Sequence, residues 1–148
     1  MVVTAYGTVT LGIKNALKAM IETTESFVNS TYLDYVVAPV DYEIENPFAK
    51  ISLISDTLRA IGAMETDHRL IFTIEINYMA GYGEDELNDM IGYVAEIIDV
   101  IEADRSLDAG TYIRNTEIRS INYSFQQGES AVLRKAELTI EIHNIRNV

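Results

Sequence analysis

The chain has no cysteine at any of its 148 positions. That removes disulfides, zinc–thiolate centres and thiol nucleophiles together. It fits a reducing compartment, or a protein that must not cross-link. Proline is nearly missing too, with only Pro39 and Pro47, and histidine is limited to His68 and His143. No apolar run approaches the roughly 20 residues a membrane span needs. The opening Met1 to Tyr6 lacks the basic and apolar regions of a signal peptide. A soluble protein made in the cytoplasm, with no membrane partner, is the expectation.

Positive charge is also scarce. Eleven basic residues face 23 acidic ones, for a net charge of −12. The imbalance is local: residues 22–103 hold 17 acids and 3 bases, whereas residues 104–148 hold 6 of each. Such an acidic middle argues against gripping a nucleic-acid backbone, which needs a basic footprint. It suits a surface that nucleic acid slides past, or simple solubility.

With two isolated histidines, metal chemistry has little to build on. Glu65 and His68 have Glu-x-x-His spacing, but carboxylate-bridged metal pairs need that motif twice, with two further glutamates. Both histidines read as ordinary surface residues. Glu84, Asp85, Glu86 and Asp89 form the densest carboxylate group, and a divalent ion is one reading of it. A helix start is the simpler one, because free N–H groups and the helix dipole favour carboxylates there. Glu96, Asp99 and Glu102 are expected along the solvent side of that helix. Gly81-Tyr82-Gly83 sits where phosphate loops sit, yet lacks their lysine and is followed by three acids. There is no Gly-x-Ser-x-Gly elbow. The expectation is a non-enzyme, with no catalytic, cofactor-binding or metal-ligating residues.

What the chain does have is amphipathic pattern. From Arg69, the residues Leu70, Phe72, Ile74, Ile76 and Tyr78 alternate with Thr73, Glu75 and Asn77, which predicts a half-buried strand. After the Gly81–Gly83 break, Leu87, Met90, Ile91, Val94, Ile97, Ile98 and Ile101 recur with a period of about 3.6 residues, which predicts a helix. The two apolar faces should pack, with Leu70, Phe72, Ile74 and Ile76 against Leu87, Ile91, Val94 and Ile98.

Residues 8–29 predict a first helix, with Thr8 as its N-cap. Tyr35 to Glu45 predicts an edge strand, and Lys50 to Ser55 a short buried one. Asp104 to Thr116 reads as a polar connector. Glu117–Gln126 and Val132–His143 predict a hairpin, with Ile121, Tyr123 and Phe125 on one face. Residues 56–68 are open between a short helix and a long hairpin arm leading into the Arg69 strand. The whole reads as one α+β domain over residues 1–148: an antiparallel or mixed sheet with two amphipathic helices packed on one face.

This order of elements resembles the tail terminator proteins of long-tailed bacterial and archaeal viruses. Ile13 to Ile21 looks like the family's opening helix and Arg69 to Ile76 like its central strand. Asp85 to Ile98 is similar to its second helix, and Ile121–Ser124 with Val132–Ile140 to its closing hairpin. Residues 34–45 are more acidic than the family pattern, and residues 56–68 align with nothing in it. The resemblance implies a structural virion protein at the head–tail junction. Its homo-hexameric ring would cap the tail tube, stop polymerisation and meet the head connector or adaptor protein, with DNA passing through the channel unbound. Another head–tail adaptor or tail-completion protein, or a cytosolic α+β ligand-binding or regulatory domain, stays open as an alternative. Within the ring reading, Leu58, Ile61 and Met64 are the expected subunit contacts, on an arm reaching a neighbour or the tube end. A local helix folded onto its own domain is the other reading of that segment.

Overall fold

A computed structural model describes residues 5–27, 31–33, 47–62, 65–80, 84–105, 113–127 and 132–147. Helix α1 (Ala5–Glu22) is followed by strands β1 (Thr31–Leu33), β2 (Phe48–Ala60) and β3 (Glu65–Ala80). Helix α2 (Glu84–Ala103) and strands β4 (Ile113–Gln127) and β5 (Val132–Asn147) complete the chain. The fold is α+β. The five strands form one mixed sheet in the order β1-β2-β3-β5-β4, with β1 parallel to β2 and every other pairing antiparallel.

Alternation along β3 decides the core. Leu70, Phe72, Ile74 and Ile76 are buried, as are their β5 partners Ile142, Ile140, Leu138 and Ala136. Both helices pack on this face. α1 contributes Ile13, Leu17 and Ile21, one stripe at four-residue spacing, and α2 contributes Met90, Val94, Ile97 and Ile101. The helix stripe is therefore narrower than its sequence suggests. Ile98 is partly covered, but Leu87 and Ile91 are 38% and 48% exposed and do not join the core.

Several boundaries also shift. α1 begins at Ala5, so Thr8 lies inside the helix and does not cap it. At its other end, the Thr23 and Thr24 hydroxyls donate to the carbonyls of Met20 and Ile21 at 2.6 and 2.7 Å. The Thr23 and Thr24 backbone N–H groups donate to the same two carbonyls, so the last turn closes with i to i+3 bonds. Residues 56–68 hold no helix among those described. β2 runs on through Asp56 to Ala60, and Glu65 begins β3. The pairing reaches Ala60 opposite Thr66, and the Ile61 N–H donates to the Glu65 carbonyl at 3.2 Å. The segment is a hairpin end, and it is not free, because β5 pairs with β3 all the way to Glu65. The expected edge strand at 35–45 and the Gly81–Gly83 break lie outside the described residues.

Candidate functional site

The features that bear on function lie at the margins of the sheet, in two places. The first is the end of the β2–β3 hairpin. Asp56 stands opposite Leu70 and so faces the helix side. Its carboxylate meets His68 Nδ1 at 3.0 Å, with the two side chains only 6% and 2% exposed. Asn144, opposite His68 on β5, is also buried. His68 thus belongs to the interior, contrary to its reading as a surface residue. Its position was legible in outline, since it shares the parity of Leu70 and Phe72.

The other face of the sheet carries a row of charges. His143 Nε2 meets Asp67, and Arg69 lies 3.8 Å from Asp67 and 3.4 Å from Glu141. Arg119 of β4 reaches the same Glu141, which is buried, and Lys135 sits 3.3 Å from Glu75. His143 is half-buried and tied to β3, so it too departs from the surface reading. Near the hairpin end each histidine meets an aspartate, His68 with Asp56 on the helix side and His143 of β5 with Asp67 on the other.

Past these ties the apolar side chains are uncovered. Leu58, opposite His68 on the helix side, is 51% exposed and Ile61 beyond it is exposed, as is Ile54 on the body side of the ties. Of the three expected contact residues, Leu58 and Ile61 are both exposed at this end, but three positions apart, so strand alternation does not put them on one face. Met64 lies outside the described residues.

The second place is the opposite corner. The sheet register carries Ile76 to Ala136 and on to Tyr123, and Tyr78 to Arg134 and on to Phe125. Tyr123 and Phe125 therefore lie on the helix side, yet they are 47% and 67% exposed. The position of α2 explains this. Its Tyr93 stacks edge-on with Phe27, centroids 6.3 Å apart, and with Tyr78 at 5.1 Å. Glu96 accepts from the Ser26 backbone at 3.2 Å. It is half-buried there, not on the solvent side, while Asp99 and Glu102 are exposed as expected. These contacts turn one flank of α2 toward α1. Leu87 and Ile91 occupy the other flank, toward β5 and β4, where among the described residues no further helix lies.

Burial pushes the Tyr93 phenol above its ordinary value near 10. The hydrogen bond with Tyr78 opposes that shift, and the charges of Asp89 and Glu96 add to it. Among the described residues, no three His, Cys, Asp or Glu side chains are placed to hold a metal ion. No described helix is long and apolar enough to cross a membrane.

No protein-family model matches the sequence, and no curated protein matches it significantly. Among solved structures, one whose title names no activity is similar over 90% of this chain and 92% of its own. Its sequence identity is 10% and its TM-score 0.46.

Proposed function

We propose that this chain is a self-assembling structural protein, a tail terminator that forms a ring on the end of a viral tail tube. The observation that carries the reading is the hairpin end, where Leu58 and Ile61 stand exposed on a rigid, sheet-anchored element. A partner seated on this end would remove both side chains from water. The order of elements resembles that family, and α2, with Asp89, Asp99 and Glu102 exposed and no base, supplies a surface to which DNA would not adhere. The ring is a homo-hexamer at the head–tail junction, and its partners are the tail tube protein and the head connector.

The test is assembly and capping. Native mass spectrometry should give a closed oligomer, and added protein should arrest a growing tail tube at fixed length. A protein that stays monomeric at all concentrations and leaves tube growth unchanged sinks the reading, and favours a ligand-binding domain. An oligomer that binds a connector but never a tube indicates an adaptor.

A further inference from the structure

Among the described residues the sheet has two uncovered edges, one along the end of β2, past its bulge and bearing Asp56 and Arg59, and one along β4. β1 covers β2 only at Ala49 to Ile51, and among the described residues no strand lies beside β2 from Ser52 onward. β4 forms the opposite edge. Natural edges are normally defended by charge, proline or bulges. The first part of β4 has such defences, with register breaks at Ile113/Asn115 and Ile118/Ser120 and the charges of Glu117 and Arg119. From Ser120 to Gln127 they cease. This run, Ser-Ile-Asn-Tyr-Ser-Phe-Gln-Gln, has no charge, no proline and no register break, and it presents the exposed Tyr123 and Phe125.

We propose that this edge receives a second copy of the chain. The β2 edge Ser55–Ala60 of one molecule pairs antiparallel with Ser120–Gln127 of the next. Three observations select this occupant. First, β2 and β4 run in opposite directions, so a head-to-tail contact continues the antiparallel alternation of β2, β3, β5 and β4 without a break. Second, the faces agree. Leu58 lies on the helix side of β2, as Tyr123 and Phe125 do on β4, so pairing places the aliphatic chain among the aromatic rings. The one charge on that face of the β2 end, Asp56, is already held by His68. Third, one contact covers both surfaces. Pairing β4 with its own copy about a dyad would cover Tyr123 and Phe125 but leave Leu58 bare. Leu87 and Ile91, exposed on the α2 flank away from α1, extend the apolar surface that Leu58 would enter.

Such a contact is heterologous, so it repeats from copy to copy and closes as a ring when the rotation permits. The inference rests on the self-assembly in the reading above and supplies its contact.

The absence of native cysteine makes the test clean. Leu58→Cys and Tyr123→Cys are made singly and together, and treated with a short bismaleimide. Within one chain these positions are three strands and about eight residues apart, or roughly 30 Å, beyond the reach of the reagent. The expected result is a ladder of covalent oligomers from the double variant. The mixed single variants should give a dimer, and either single variant alone should give no product. Dimers from Tyr123→Cys alone would overturn the proposal in favour of a dyad. Oligomers by native mass with no cross-linking would overturn this contact and leave the ring reading standing. A protein that remains monomeric would overturn both.

Discussion

Ile54 and Arg119 occupy the extra positions of two bulges that flank the same row of the sheet. Ile54 lies between Leu53, which faces Phe72, and Ser55, which faces Ile71. Arg119 lies between Ile118, which faces Ile140, and Ser120. Phe72 and Ile140 face each other in the central pair. Bulges bend a strand and increase its twist, so both outer strands are creased at one level while β3 and β5 run through it unbroken.

The observed helix stripe separates core from surface on α2. Ile97→Ala should cost about 2–5 kcal/mol, as deletions from a packed interior do. Leu87→Ala should cost less than about 0.5 kcal/mol in the monomer, the range usual for surface positions. Urea denaturation of the two variants checks this. Equal losses would mean that Leu87 belongs to the interior after all.

Asp56 and His68 should be strongly coupled, since neither can turn to water when its partner is removed. Asp56→Ala is expected to destabilise by roughly 1–3 kcal/mol, the cost of leaving a buried polar group unsatisfied. A double-mutant cycle with His68→Ala should return a clearly non-additive sum. The more exposed His143–Asp67 pair should show weaker coupling, and a cycle at both sites measures the contrast.

Gly92 lies within α2, and a methyl group built there meets nothing within 4 Å. Gly92→Ala should therefore stabilise by about 0.5–1 kcal/mol, through the lower backbone entropy of the unfolded chain. A lower melting temperature would show that an unseen contact occupies that space.

Tyr93 should contribute to a loss of stability at alkaline pH. Its folded pKa is raised above the unfolded value near 10, chiefly by burial. The stability it contributes is thus fully present below the unfolded value and is lost as pH rises through the folded one. Thermal melts across that window should show a decline in the wild type that Tyr93→Phe reduces. An identical decline in the variant would exclude Tyr93 as its source.

The central strand, both helices and the closing hairpin were legible because each keeps a single period through its buried length. The hairpin end was not, and the bulge at Ile54 explains why. It moves the inward set from Ile51 and Leu53 to Asp56 and Leu58, so the apolar residues cease to alternate. On α2 the period was right but its width was not. A sequence repeats Leu87 and Ile91 with the rest, and only the fold shows that among the described residues no helix lies beside their flank. His68 was misjudged for its polarity, although its spacing from Leu70 pointed inward.

The strand order also governs how the protein is made. β5, which follows the other four strands of the sheet in the chain, lies between β3 and β4. A nascent chain therefore holds its first helix, three strands and second helix before the strand that joins them to β4 exists. Folding must wait until residues 132–147 have cleared the ribosome, and its long-range pairings make it slow. Until then Ser120–Gln127 is bare on both sides, an uncharged aromatic run open to aggregation. A chaperone that shields this run during translation would raise the yield of soluble protein more than one acting on the finished chain.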